Sequence, residues 1–123
     1  MATKQYTITP AVPYNNHDAN VVKWTLSAGD DGAPLPMPQA ADRSAQILGT
    51  FGGATVIIEG ANDNASADES GTRYSPLTDP FNVAISKSAA GVSGITEMTR
   101  VVRPRVSGGD GTTAIEVYIL LKR

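Results

Sequence analysis

Cysteine is missing from this 123-residue chain, which excludes disulfides and thiolate metal sites and makes the protein indifferent to redox compartment. Histidine is nearly missing. The single one, His17, has Asp18 beside it but lies in a polar stretch with no nucleophile pattern, so it reads as a loop residue rather than part of a triad. Charge is scarce at 18%, against about 25% in ordinary soluble domains. The net charge of −2 supplies no basic field for nucleic acid, and aromatics at 6% give few platforms for stacking bases. The G-x-S-x-G, H-E-x-x-H and P-loop patterns are all absent. No apolar run approaches the ~20 residues of a membrane helix, and Met1–Gln5 leads into no apolar signal region. The expectation is a non-enzymatic chain made in the cytosol, with no cofactor, no metal, no membrane, no nucleic acid and no small-molecule substrate.

What the chain does have is turn chemistry: 12 glycines and 8 prolines among 41% hydrophobic residues. Val21–Leu26 alternates, with Val22, Trp24 and Leu26 on one face. Gly29-Asp30-Asp31-Gly32 ends that strand. Ala33-Pro34-Leu35-Pro36-Met37-Pro38 cannot be helical and reads as an exposed, polyproline-like segment. Ser44–Phe51 and Ala54–Gly60 read as a hairpin joined by Gly52-Gly53. Short strands follow at 72–74 and 81–85, and Gly91 and Gly94 argue against a helix over 86–98. Thr99–Val106 contains Pro104, which points to an edge strand or a bulge. A loop, Ser107–Thr112, reads as the turn of a second hairpin. In Thr113–Lys122, Ile115, Val117, Ile119 and Leu121 share one face, and Glu116, Tyr118, Leu120 and Lys122 share the other. The sum is an all-β domain of about seven or eight strands at β-sandwich spacing. It spans residues 21–123, and residues 1–20 form an extended N-terminal arm with a short strand at Gln5–Thr9.

Few residues invite a chemical role. Asn62, Asp63, Asn64, Asp68 and Glu69 crowd one loop, but their spacing does not match a calcium-binding EF-hand, and a solvated turn is the simpler reading. Glu59 and Glu116 have no neighbours that mark a glycosidase pair. Trp24, Tyr14 and Tyr74 are the aromatic candidates for a carbohydrate platform, with Trp24 better explained as core. Arg103 and Arg105, with Lys122 and Arg123, form either a charge-guarded edge or a strip for an acidic partner. Buried aromatic and arginine anchors dominate interfaces. The candidate partner contacts are therefore Tyr6, Tyr14, Leu35, Met37, Arg103 and Arg105.

Several phrases carry a resemblance. They are Val22-Lys23-Trp24-Thr25-Leu26 with Gly29-Asp30, Gly49-Thr50-Phe51-Gly52-Gly53-Ala54-Thr55-Val56, and Glu59-Gly60-Ala61-Asn62-Asp63. Ile95-Thr96-Glu97, Arg103-Pro104 and Gly108-Gly109-Asp110-Gly111-Thr112 follow. Over residues 20–123 the chain resembles the small β-rich virion proteins of tailed bacteriophages, some of which are head decoration, or cement, proteins. It departs from them after Asp63, where Asn64-Ala65-Ser66 replaces the usual Gly and Trp. The resemblance implies a jelly-roll-like sandwich on the head surface of a virion, made in the host cytoplasm. It also implies the major capsid protein and a dimer or trimer of itself as partners. A tail, neck or head–tail joining protein is the alternative, and a carbohydrate-binding module the lesser one.

Overall fold

The computed structural model describes residues 2–11, 19–36, 42–63 and 73–122. Among them are twelve strands and no helix. The first six are β1 (Thr3–Lys4), β2 (Tyr6–Pro10), β3 (Ala19–Leu26), β4 (Asp31–Gly32), β5 (Leu35–Pro36) and β6 (Asp42–Thr50). The others are β7 (Thr55–Ala61), β8 (Ser75–Pro76), β9 (Ser86–Lys87), β10 (Gly91–Gly94), β11 (Val101–Ser107) and β12 (Ala114–Lys122). They form two sheets. One has the order β10-β6-β12-β3-β2. The other runs β1-β4-β11-β7-β8, with β5 also on β11 and β9 also on β7.

Period-two alternation places the core. Val22, Trp24 and Leu26 of β3, Ala45 and Ile47 of β6, and Ile115, Val117 and Ile119 of β12 turn inward from the five-stranded sheet. Val56, Ile58, Val102 and Val106 meet them from the seven-stranded sheet. Each such side chain contributes on the order of 1.5–3 kcal/mol by leaving water. Trp24 is wholly buried, and its Nε1 donates to the Ala33 carbonyl at 3.1 Å. That bond satisfies the one polar atom that burial would otherwise penalise.

The turns behave locally as their residues dictate, yet they join different partners from those expected. Gly52 and Gly53 have φ of 58° and 83°, and Ala54 N donates to Phe51 O at 2.9 Å, so the tight Gly-Gly turn is present. The strands it joins, β6 and β7, lie in opposite sheets. It is a crossover and not a hairpin. The 107–113 loop likewise carries β11 across to β12. It docks on the Gly-Gly turn through Thr113 Oγ1, which donates to Phe51 O at 2.8 Å. Such crossings between layers produce a jelly-roll-like sandwich.

Two further expectations are corrected, and the short strand expected at Gln5–Thr9 is present as β2. The Pro104 strand is not an edge: β11 is central, between β7 and the pair β4 and β5. Val106 N donates to Asp30 O, so the nitrogen of Pro104, two residues earlier, faces that same side. There the partner strand is interrupted between β4 and β5, so no ladder bond is lost. The Ala33–Pro36 segment is not exposed polyproline, because Ala33 and Leu35 are buried and Leu35 pairs with Val102. Residues 3–10 are extended but paired. β1 runs parallel to β4, and β2 runs antiparallel to β3. The buried Asp30 carboxylate accepts from the N–H groups of Ala2 and Ser27 and ties this segment to the first turn.

Candidate interaction surfaces

The side of the seven-stranded sheet that faces away from the core carries a covered charge cluster. Arg103 is 0% exposed. Its Nε donates to Glu59 Oε1 at 3.1 Å, and Arg105 Nε donates to the same oxygen at 3.1 Å. Register explains this meeting, since Arg103 on β11 is paired directly with Glu59 on β7. The Tyr74 ring covers the Arg103 guanidinium at 3.9 Å, a cation–π contact made stronger by desolvation. Asp31 lies 3.8 Å from Arg103 Nη1, an electrostatic contact too long for a hydrogen bond. The cluster is internal: both Nε groups meet Glu59, while Nη1 and Nη2 of Arg103 find no hydrogen-bond partner among the described residues, and Arg103 adds nothing to an exposed basic strip.

This placement revises the list of expected contacts. Arg103 is buried and cannot reach a partner. Leu35 is buried in the core. Tyr6 is half-buried with its ring edge-on to Trp24 at 5.4 Å, so it closes the core. Arg105 remains partly exposed but is engaged with Glu59. Tyr14 and Met37 lie outside the described residues, as do His17, Arg123 and most of the 61–71 loop. Where that loop is described, Asp63 pairs with Arg73 at 2.7 Å, and Asn62 Oδ1 accepts from Arg100 N. Among the described residues no group of three or more metal-ligating side chains occurs. Trp24 and Tyr74 are both buried, so neither is an aromatic platform. Glu59 and Glu116 sit in different sheets.

The surfaces that do stand open were not among the expected partner contacts. Phe81 is 87% exposed on a pinned tip between Thr78 and Ala84, which form an isolated bridge. Asp79 Oδ1 accepts from the N–H groups of Phe81 and Val83 at 2.8 and 3.0 Å, and Asn82 takes a φ of 62°. Glu97 anchors the base of the tip by accepting from both the N–H and the hydroxyl of Thr78. The Thr78 hydroxyl first, and its N–H second, hold the Glu97 carboxyl below its ordinary range. Val83 and Met98 are also exposed. A tip held this way presents its apolar side chains without a large ordering cost on binding. The available signal was the Asp79-Pro80 turn directly before a phenylalanine.

A second open surface is the outer face of the five-stranded sheet. Val21, Ser44, Gln46, Val92, Tyr118 and Leu120 line a shallow depression of about 370 Å³. At the edge of this face the Pro80 ring lies against Gly94 of β10.

No family profile and no curated protein matches the chain. Among solved structures, it is similar to a cupin domain from Bordetella pertussis Tohama I. The TM-score is 0.51 at 11% identity, and the match covers 100% of this chain and 98% of that one. At that identity the likeness concerns the fold, and it supports the two-sheet, jelly-roll-like architecture.

Proposed function

We propose that this chain is a structural, non-enzymatic virion protein: a decoration, or cement, protein that binds the outside of a tailed-phage head and bridges subunits of the major capsid protein. The observation that carries the reading is the pinned tip with Phe81 at its apex. An almost fully exposed phenylalanine on a rigid loop is suited to insertion in a partner's pocket, and buried aromatic anchors dominate protein interfaces. The resemblance noted in the sequence supplies the partner. Its phrases meet in space as framework pairs: Glu59 contacts Arg103, and Phe51 accepts from Thr113 beside the Asp110–Thr112 turn.

The mechanism is mass action. A protein that binds the assembled shell and not its separated subunits stabilises the shell by RT ln(1 + [L]/Kd) per site, about 2.7 kcal/mol at a hundredfold excess over Kd. Repetition over the lattice multiplies the effect.

The test is attachment to expanded, undecorated heads, followed by copy counting and thermal rupture of the particles. Lattice-scale copy number and a raised rupture temperature are expected. Copies confined to a single ring would assign the chain to a neck or tail instead, and no copies in virions would refute both readings. Phe81→Asp should weaken attachment by at least about 30-fold, in the range of an interface hot spot. It should leave the melting temperature of the free protein unchanged.

A further inference from the structure

The outer face of the five-stranded sheet repeats its own pattern in reverse about its centre. β12 runs through the middle and points Glu116, Tyr118, Leu120 and Lys122 outward, because their partners on β6 and β3 face away from the core. On β12 itself the acidic Glu116 stands at one end and the basic Lys122, paired across to Asp42 of β6, at the other. Beside Leu120 lies Val21, and beside Tyr118 lies Lys23. At the sheet edge, Val92 is 66% exposed and pairs with Gln46. Gly94, two residues on, pairs with Ser44 and has no side chain. Val92 thus lies in the Tyr118 row and Gly94 in the Leu120 row.

We infer that this face is a docking surface for a second copy of the same chain. The two copies would be related by a twofold axis lying in the interface, perpendicular to β12 and passing over Ile119. Such an axis exchanges the two rows. Tyr118 then meets Leu120 of the other copy, and Lys122 meets its Glu116. Val92 faces the other copy's Gly94, beside which the Pro80 ring lies. Each contact occurs twice, as an isologous interface requires.

Charge favours this occupant, and the area is compatible with it. Lys23, Asp42, Glu116 and Lys122 leave the face without net charge, so two copies do not repel. Glu116 already accepts from Tyr118 Oη and lies 3.9 Å from Lys23, but a carboxylate has about four acceptor positions, so a further cation can be received. Five strands at ~4.8 Å spacing, four to nine residues long at ~3.4 Å each, make a face of about 570 Å². A stable dimer needs about 800 Å² from each partner, measured on a surface rougher than this flat projection.

The pairing concerns the free chain and does not rest on the capsid reading. Its test is sedimentation equilibrium of the purified protein, with circular dichroism to verify folding. The wild type should be dimeric at micromolar concentration. Leu120→Glu and Val92→Glu should each weaken dimerisation by at least about 30-fold. Lys122→Glu alone and Glu116→Lys alone should each be monomeric, since each places like charges together. Mixed in equal amounts, those two variants should form a heterodimer, because opposite charges then face each other at both positions. A wild type that stays monomeric, or a dimer indifferent to Leu120, overturns the proposal. So does a mixture of the two charge variants that fails to pair. A monomer that needs Leu120 to attach to heads would assign the face to the capsid instead.

Discussion

Replacing Glu59 with alanine removes the carboxylate shared by Arg103 and Arg105 while leaving both arginines in place. Arg103 is 0% exposed, so water cannot substitute for the lost partner. Among the described residues, what remains to it is Asp31 at 3.8 Å and the Tyr74 ring at 3.9 Å. Breaking a buried ion pair from one side costs about 3–5 kcal/mol, because the surviving charge keeps its desolvation penalty. The whole domain is expected to be stable by only about 5–15 kcal/mol. With a urea m-value near 1.5 kcal/mol/M, the unfolding midpoint should fall by about 2–3 M. Arg105→Ala is the internal comparison. Its side chain is 35% exposed, so solvent screens the contact and the loss should stay within about 1 kcal/mol. The pair Glu59→Leu with Arg103→Met removes both charges together and should recover most of the stability, since packed apolar replacements of buried pairs are often neutral. Urea melts of the four proteins decide the matter. If Glu59→Ala costs less than about 1 kcal/mol, or no more than Arg105→Ala, then Arg103 is not held as a buried charge and the reasoning fails.

Further predictions rest on other parts of the sandwich. Glu97 should titrate below its ordinary value of 4.5. Its contribution to stability is therefore present above that value and is lost as pH falls through the lowered one. Thr78→Val should move the Glu97 titration, followed by NMR, upward, and Glu97→Gln should flatten the acid limb of the stability curve. Arg43 is buried, its guanidinium nitrogens find no hydrogen-bond partner among the described residues, and burial lowers its pKa against the opposing attraction of the Glu97 carboxylate. Arg43→Met should raise the melting temperature, with a gain of about 1 kcal/mol from removing an unsatisfied buried cation; a lower melting temperature would show the guanidinium to be engaged. Gly32→Ala would place a Cβ 2.6 Å from Pro104 Cδ and 2.7 Å from Trp24 Cδ1. Neither ring can step aside, so a loss of about 2 kcal/mol is expected in denaturant melts.

Much of the strand content is legible in the residues. Successive Cβ atoms alternate across a strand, so Val22, Trp24 and Leu26 and then Ile115, Val117 and Ile119 declare an inner face wherever the strand pairs. The Gly52-Gly53 turn is equally local, since positive φ is a property of the backbone at those residues. The outer face of β12 was legible too, because Leu120 stands among Glu116, Tyr118 and Lys122. The run from Phe81 to Ile85 misleads because its alternation breaks at Asn82, where positive φ turns the chain. Ile85 is buried while Phe81 and Val83 are left in solvent.

The all-β class, the core-facing residues and the sites of the turns were thus determined by the sequence itself, because each depends on one residue and its immediate neighbours. Partnership was decided only by the tertiary structure. A tight glycine turn serves a hairpin or a crossover equally well, and the choice made here sends β6 and β7 to opposite sheets. An arginine that points away from the core faces either water or a covering layer; Arg103 meets Glu59, 44 residues away in sequence, under the Tyr74 ring. Pro104 is tolerated in a central strand because the gap it needs lies in another segment, between β4 and β5. These are long-range pairings, whose energies depend on which strands come together and not on any residue read alone.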